Sequence, residues 1–186
     1  MTFSAEDRAS LLDLARRSIV HGLERGSPLR VAPEDYPESL REERAAFVTL
    51  HRHGELRGCI GHLEACQALV RDVAENAYAA AFRDPRFPPL ARQELAGLAV
   101  HISVLTPPEP MTFSSEADLL AQIRPGIDGL ILSEGSARGT FLPSVWESLP
   151  QPRDFLNQLK RKARLPADHW SERIRVARYT TESFGD

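Results

Sequence analysis

The chain has 186 residues, of which 42% are hydrophobic and 26% are charged, and its formal net charge at pH 7 is −3. These values are ordinary for a globular chain with a real core, while the absence of a long apolar run excludes a bilayer-spanning segment and the presence of only two cysteines excludes a disulfide framework. We therefore expect a single cytoplasmic domain over residues 1–186, with reduced thiols and no signal peptide.

The first third of the chain predicts a helix, an extended connection and a hairpin. A weak capping box begins at Ser4, and apolar residues then recur at helical spacing up to Gly26. Three prolines make residues 27–40 an extended connection. Two β-rich runs over residues 45–63 predict a hairpin that turns around Gly54.

The rest of the chain mixes helices and strands. Amphipathic spacing predicts a helix over residues 66–82, which the prolines of "DPRFPPL" end. Strict alternation predicts a strand over residues 98–106. Helix, hairpin, helix and strand then follow over residues 114–123, 128–142, 152–162 and 173–179. This irregular mixture favours an α+β fold with a mainly antiparallel sheet flanked by helices.

Both cysteines lie in one short segment, "HGELRGCIGHLEAC", at residues 53–66. On an ideal strand Arg57, Cys59 and Gly61 share one face. An arginine near a thiol favours the thiolate, which is the form that acts as a nucleophile or metal ligand. Gly58 and Gly61 leave bare backbone beside the cysteine, and glycine in a strand marks a bulge or a close approach by a ligand or another backbone. The segment predicts a glycine-lined pocket in which Cys59 reacts or grips an anion.

A purely structural interpretation of the same segment stays open. Cys59 would then be a small buried filler and Arg57 would pair with an acid. His62 could act as an acid or base, or pack at the sheet edge. Glu64 could act as a base, or pair with Arg57.

A zinc site is a lesser alternative. Cys59, His62 and Cys66 form a C-x2-H-x3-C pattern with two histidines just upstream, and a closed zinc site needs four such ligands in a tetrahedral array. Cys59 and His62 face opposite ways unless Gly61 introduces a bulge, and Cys66 falls on the predicted helix. We therefore expect no metal and no other cofactor.

The stretch "DPRF" also has two interpretations. Asp84 and Pro85 are typical of a turn after a helix, with Phe87 filling the core. In the functional interpretation, Asp84 and Arg86 lie at the pocket rim, where Arg86 binds a carboxylate or phosphate through two hydrogen bonds.

The C-terminal segment 151–178 carries eight basic residues against three acidic ones. Cations at a helix C-terminus complement the helix dipole, which explains the run "KRKAR" at residues 160–164. Clustered arginines could also bind nucleic-acid phosphates. A sequence pI near 6.1 and the lack of a P-loop or dinucleotide fingerprint argue against that partner.

The stretch "LRGCIG" at residues 56–61 resembles the signature of the AMMECR domain family, also called AmmeMemoRadiSam system protein A. Further matches follow in the family's order, including "DPRFPP" at residue 84, "GTFLPSVWE" at 139 and "FLNQLKRKA" at 155. The resemblance covers nearly the whole chain. It implies an α+β fold with a larger and a smaller lobe, and association with a Memo-like protein and a radical S-adenosylmethionine protein. It implies no particular reaction.

Two functional hypotheses follow. In the first, the chain is an enzyme or enzyme component in which Cys59 is a nucleophile or redox thiol and Arg57 is its activator or anion clamp. The other candidates are His62 and Glu64 as catalytic auxiliaries, and Gly58, Gly61, Asp84 and Arg86 as substrate-binding residues. In the second hypothesis, the chain is a non-catalytic adaptor that binds a partner protein through the same groove. The sequence leaves the substrate and the oligomeric state undetermined.

Overall fold

A computed structural model describes residues 2–186. The chain divides into two compact units, one formed by the chain up to Leu105 together with Glu182–Asp186, and the other by Thr106–Thr181. Each unit is built on a four-stranded sheet. Helices accompany antiparallel strand pairs in both units, so the predicted α+β class with mainly antiparallel pairing is confirmed. The strands form two sheets rather than the single sheet that was expected.

The first unit places its helices on one face of a sheet with the order β2-β1-β3-β8. Its elements are α1 (Ala5–Arg25), a 3-10 helix (Pro33–Asp35), α2 (Glu38–Arg41), β1 (Ala46–Arg52), β2 (Glu55–Gly61), α3 (Leu69–Phe82), a second 3-10 helix (Arg92–Leu95), β3 (Leu98–Leu105) and, beginning with the last residue of the other unit, β8 (Thr181–Gly185).

Helix α1 begins and ends where the sequence predicts. The Asp7 N–H donates to the Ser4 side chain over 3.0 Å, and the Gly26 N–H closes the last turn on the Gly22 carbonyl. The apolar stripe of α1, including Leu11 and Leu14, is fully buried. The hydrophobic spacing thus directs one face of the helix into the core.

The core of the first unit lies between the sheet and helices α1 and α3. Val48 and Leu50 of β1 and Val100 and Ile102 of β3 are fully buried on the helix side. Because side chains alternate along a strand, their neighbours lie on the opposite face of the sheet. Strands β1 and β2 join through a tight turn whose central residues, 53 and 54, both have positive φ angles of 54° and 83°, the geometry of a type I′ hairpin.

The second unit contains a sheet with the order β4-β7-β5-β6. Trp146 stacks on Phe155 with ring centroids 3.8 Å apart and donates its Nε1–H to the Asp128 carbonyl, so it belongs to the core of this unit. The elements are β4 (Glu109–Pro110), α4 (Glu116–Gln122), β5 (Gly129–Glu134), β6 (Ala137–Phe141), a 3-10 helix (Pro143–Glu147), α5 (Pro152–Lys162) and β7 (Arg175–Tyr179).

Three local predictions differ from the structure. Helix α3 begins at Leu69 rather than Cys66, because Ala68, which forms an isolated β-bridge with Glu43, has a non-helical ψ of 138°. Two short helices interrupt the connection predicted over residues 27–40. Strands β4 and β8 were not predicted.

Candidate functional site

Cys59 lies in β2, at the edge of the first sheet, on the face that points away from the helices. The register pairs it with Thr49, whose neighbours Val48 and Leu50 are buried on the helix side. The Thr49 hydroxyl donates a hydrogen bond to the Cys59 Sγ atom over 3.2 Å. Cys59 is partly exposed, so its thiol is held by a polar neighbour and is not sealed in the hydrophobic core.

The backbone of Cys59 is held by the turn that follows α3. The Cys59 N–H donates to Asp84 Oδ2 over 2.9 Å, and Arg86 Nη2 donates to the Cys59 carbonyl over 3.4 Å. Arg86 also donates to both Asp84 oxygens, from Nε over 3.0 Å and from Nη2 over 2.7 Å. An edge strand otherwise leaves such backbone groups without a strand partner. The Asp84–Arg86 pair therefore takes the place of a neighbouring strand at Cys59.

The two side chains of this ion pair differ strongly in solvent exposure. The Asp84 side chain is only 2% exposed, whereas that of Arg86 is 55% exposed. The hydrogen bonds from Arg86 hold the pKa of Asp84 well below its usual range, although burial acts in the opposite direction. Asp84 raises the pKa of Arg86 in return, chiefly through the same hydrogen bonds. Arg86 is therefore a permanent cation next to the Cys59 thiol.

The "DPRF" stretch forms the predicted turn. The Arg86 N–H donates to Asp84 Oδ1 over 3.1 Å, which is the local hydrogen bond of an Asx-type turn. Phe87 is partly buried, and the guanidinium groups of Arg57 and Arg86 lie 5.8 and 5.5 Å from its ring centroid. Phe87 thus packs against two cations and does not fill the core as predicted.

Arg57 does not follow the strand alternation that was expected to place it on the same face as Cys59. The register pairs Leu50 with Gly58 but His51 with Leu56, so Arg57 is the extra residue of a β-bulge. Its Nε and Nη2 atoms donate to the two Glu94 oxygens over 2.8 and 3.0 Å, and its side chain is only 11% exposed. The structure therefore favours the alternative in which Arg57 pairs with an acid, and Arg86 is the cation beside Cys59.

The Arg57–Glu94 pair is an ionic contact internal to the first unit. The hydrogen bonds from Arg57 lower the pKa of Glu94 to about 2, and the Ala91 N–H contributes to the same effect. Arg57 thus already binds a carboxylate, as an anion clamp would, but this carboxylate belongs to the chain.

The two motif glycines allow close packing within the chain. A Cβ atom on Gly58 would lie 2.1 Å from the Ala80 carbonyl oxygen in α3. A Cβ atom on Gly61 would lie 2.4 Å from the Phe47 ring and 2.5 Å from the Ala46 carbonyl oxygen. The side-chain space that was expected to admit a ligand is therefore occupied, and the close approach is that of another backbone or side chain.

His62 lies at the end of β2 and turns toward α3. Its Nδ1 atom is 3.0 Å from Asp72 Oδ1, and Asp72 is almost completely buried. Burial raises the pKa of Asp72, while the hydrogen bond with His62 opposes this rise. Glu64 is exposed in the loop between β2 and α3.

The residues of the zinc pattern do not converge. Cys66 is exposed and precedes α3, so its predicted place on that helix is wrong. His51, upstream of the motif, packs edge-to-face on His101 with ring centroids 5.3 Å apart. Within residues 2–186, no group of three or more His, Cys, Asp or Glu side chains is arranged to hold a metal ion.

The positive charges of the C-terminal segment do not form one continuous exposed surface. Lys160 is fully buried, where it donates to Glu116 Oε1 over 2.5 Å. Arg173 lies 3.4 Å from Glu134, and Arg178 lies 3.8 Å from Glu109. Part of the positive charge is thus balanced within the second unit.

Three residues that matter at the site were not predicted. They are Thr49, which binds the thiol, Glu94, which binds Arg57, and Asp72, which binds His62. The alternation of β1 could have placed Thr49 on the outer face. No local pattern could have paired Glu94 or Asp72 with its partner.

None of the helices in the described part of the chain is long and apolar enough to cross a membrane.

Comparison with known proteins connects this geometry to a family. A family model described as AMMECR1 matches residues 12–184. A protein of Methanothermobacter thermautotrophicus is 41% identical over 187 residues, which cover 97% of this chain and 95% of that protein. A protein of Thermofilum pendens is 39% identical over 197 residues, which cover 97% of this chain and 90% of that protein.

A solved structure agrees with the sequence relatives. The crystal structure of an uncharacterized protein from Pyrococcus horikoshii is similar with a TM-score of 0.86 and 37% sequence identity, over 95% of this chain and 90% of that one. The resemblance inferred from "LRGCIG" and the motifs that follow it is thereby confirmed. The chain belongs to the AMMECR1 family.

Proposed function

We propose that the chain is an enzyme, or a component of one, in which the Cys59 thiol is the nucleophile. The observation that carries this proposal is the setting of Cys59: the residue is partly exposed, its Sγ atom accepts a hydrogen bond from the Thr49 hydroxyl, and its carbonyl accepts one from Arg86 Nη2 over 3.4 Å. A nearby cation and a hydrogen-bond donor both favour the thiolate, and the thiolate attacks electrophiles.

The proposed step is addition of the thiolate to an electrophilic carbon, such as a carbonyl carbon. The thiol proton leaves to solvent, the S–C bond forms, and the π electron pair of the C=O bond moves to the oxygen. The half-exposed guanidinium of Arg86 balances the negative charge that develops on that oxygen. Because Asp84 binds both Arg86 and the Cys59 N–H, one carboxylate aligns the nucleophile and the cation.

The other predicted site residues have supporting places in this proposal. Arg57 and Glu94 hold β2 beside the nucleophile, and Gly58 lets β2 lie against α3. His62 is engaged by Asp72.

Alkylation of the two cysteines tests the proposal. Rates with iodoacetamide are measured from about pH 6 to 9 in the Cys66→Ser and Cys59→Ser variants, so that each thiol is followed alone. We expect Cys59 to react faster than the more exposed Cys66 near neutral pH. Arg86→Ala should slow Cys59 by about tenfold and leave Cys66 unchanged, whereas Arg153→Ala, in the exposed part of α5, should affect neither. A Cys59 that reacts more slowly than Cys66 at every pH would remove the basis for a nucleophile.

Partner binding is the second candidate function. Leu56, the first residue of the "LRGCIG" stretch, is one of three large hydrophobic side chains that are exposed in the described part of the chain, with 40% of its surface accessible. The partners suggested by the family resemblance are a Memo-like protein and a radical S-adenosylmethionine protein.

Co-purification distinguishes this function from catalysis. If the chain is an adaptor, binding of the Memo-like or radical protein from the same genome should survive Cys59→Ser but be lost in Leu56→Asp. Val20→Asp, at a similarly exposed position on α1, is the matched control. Equal binding by all three variants would exclude this surface as the contact.

A further inference from the structure

A cavity in the second unit lies between the segment that precedes α4 and the segment that leads into β7. It has a volume of 290 Å³ and is lined by residues 111–114 and 170–172 together with Ile174 and Arg175. This volume is close to the lower end of the range of small-ligand sites, about 300–1,000 Å³, which bind through apolar walls and a few polar groups. Cys59 belongs to the first unit, so the cavity is not part of the thiol site.

The walls of the cavity are apolar and largely aromatic. The rings of Phe113 and Trp170 have centroids 5.7 Å apart and planes inclined by 55°. Both side chains and Met111 pack against the core of the second unit, and Ile174 is only 1% exposed. Aromatic rings attract one another at centroid distances of about 4.5–7 Å. A flat aromatic ring is therefore the group that these walls complement best.

Contacts within the second unit hold both segments in place. The Met111 N–H donates to the Val176 carbonyl over 2.8 Å on one side of the cavity. On the other side, Nζ of the fully buried Lys160 donates to the Ala167 carbonyl over 3.2 Å and lies 5.6 Å from the Trp170 ring centroid. The cavity is thus formed before a ligand enters, which lowers the entropic cost of binding.

Arg175 supplies the polar group of the cavity. Its Nη1 atom donates to the Glu172 carbonyl over 2.8 Å and to the Ile174 carbonyl over 3.1 Å, which fixes the guanidinium. Both bonds come from Nη1, so the Nε and Nη2 donors of Arg175 are left without an acceptor in residues 2–186. These two atoms form the edge of a guanidinium that binds a carboxylate through two hydrogen bonds. Arg57 binds Glu94 through the same pair of atoms.

Glu172 limits the charge that the ligand can carry. It is exposed and lines the same cavity as Arg175. Arg175 can balance one ligand carboxylate, whereas a dianion such as a phosphate monoester would be repelled by the Glu172 carboxylate. The cavity therefore favours a single carboxylate.

We propose that this cavity binds a small aromatic monocarboxylate. The ring of the ligand packs against Phe113 and Trp170, and its carboxylate accepts hydrogen bonds from Nε and Nη2 of Arg175. The apolar contact supplies the affinity and the two hydrogen bonds supply the orientation. No bond is made or broken in the ligand, so the site does not depend on the function proposed for Cys59.

Nuclear magnetic resonance of the full chain, labelled with 15N and with 13C-methyl groups, tests the proposal with benzoate. The chain has two tryptophans. Trp170 lines the cavity, whereas Trp146 is buried and donates its indole N–H to Asp128, so it is the internal control. Benzoate, added up to about 10 mM to cover millimolar affinities, should shift the Trp170 indole signal and the Met111 and Ile174 methyl signals with one saturation curve, and should leave Trp146 unmoved.

Two further probes separate the ring from the carboxylate. Cyclohexanecarboxylate keeps the charge without the aromatic ring, and benzamide keeps the ring without the charge. Each should bind at least about threefold more weakly than benzoate, because each loses one of the two contacts.

Variants at the rim test how the carboxylate is held. Arg175→Gln should weaken benzoate binding by at least about fivefold, since it removes a charge-assisted contact, and Glu172→Gln should tighten it by removing a repulsion. Arg153→Gln, at an exposed position on α5, is the matched control and should bind as the wild type does. The proposal is overturned if benzoate leaves the Trp170 signal unmoved, if it shifts Trp146 as much as Trp170, if both further probes bind as tightly as benzoate, or if Arg175→Gln binds as tightly as the wild type.

Discussion

The two ends of helix α3 carry two buried carboxylates with opposite electrostatic behaviour. Asp72 lies in the first turn of α3 and Asp84 lies just after its last turn. Asp72 accepts the Ala46 N–H of β1, and Asp84 accepts the Cys59 N–H of β2. Both carboxylates therefore attach the helix to the sheet, yet the pKa of Asp72 is raised and that of Asp84 is lowered.

The difference lies in the side chain that each carboxylate binds. Arg86 is always charged and gives Asp84 two hydrogen bonds in a fork, which outweighs the cost of burial. His62 gives Asp72 a single hydrogen bond, and the burial of Asp72 outweighs it. The Asp84 end is thus a permanent ionic clamp beside Cys59, whereas at the Asp72 end burial keeps the pKa of the carboxyl raised.

The largest expected effect comes from removing the clamp. Asp84→Ala should lower the free energy of unfolding by about 3 kcal/mol, because the Cys59 N–H and the Arg86 guanidinium both lose their acceptor. Urea denaturation followed by circular dichroism measures this change. Asp13→Ala is the control, since exposed Asp13 has only a 3.6 Å contact with Arg17, and it should cost less than about 0.5 kcal/mol. Equal losses in both variants would contradict a special role for Asp84.

The contributions of Asp84 and Asp72 to stability should depend on pH with opposite signs. Because the folded-state pKa of Asp84 is lowered, its contribution is present above the unfolded-state pKa of about 4 and is lost as the pH falls. Because the folded-state pKa of Asp72 is raised, its contribution is present below about pH 4 and is lost as the pH rises through the folded-state value.

Replacing each carboxylate by an amide should therefore change the loss of stability at acidic pH in opposite directions. Between about pH 5 and pH 3, Asp84→Asn should flatten the loss of stability and Asp72→Asn should steepen it, relative to the wild type. Urea unfolding at a series of pH values measures both slopes. Changes of the same sign in the two variants would show that the two ends of α3 do not differ as described.

The smallest expected effect is at the histidine. His62→Ala should lower the free energy of unfolding by only about 0.5 kcal/mol, because His62 is half-exposed and Asp72 keeps its bonds to Ala46 and Asn76. His53→Ala, in the exposed hairpin turn, is the control in the same denaturation assay. A loss as large as that of Asp84→Ala would mean that His62 is a structural clamp.

Much of the fold follows from local sequence. The capping residues Ser4 and Gly26 bound α1 as predicted, and strict alternation predicted β3 almost to the residue. These features are predictable because each depends on residues a few positions apart, whose spacing matches the period of a helix or strand. Strand β8 was missed because it is a short segment whose pairing partner is far away in the chain.

The candidate site was predictable in its composition but not in its contacts. Cys59, Asp84 and Arg86 were singled out from the sequence, and the structure brings them together. Arg57 was placed wrongly because one bulge shifts the alternation of β2, and a bulge depends on the pairing register rather than on spacing.

The sequence by itself determined the family, the α+β class, most of the helices and strands, and the segment that carries the reactive side chains. Only the tertiary structure decided that Arg86 binds the Cys59 carbonyl while Arg57 binds Glu94, that Ala80 and Phe47 fill the space at the motif glycines, and that His62 binds Asp72. The physical reason is the separation along the chain of the residues that interact. Secondary structure is encoded by neighbours in the chain, whereas ion pairs and buried hydrogen bonds join residues that only the folded backbone brings within 3 Å.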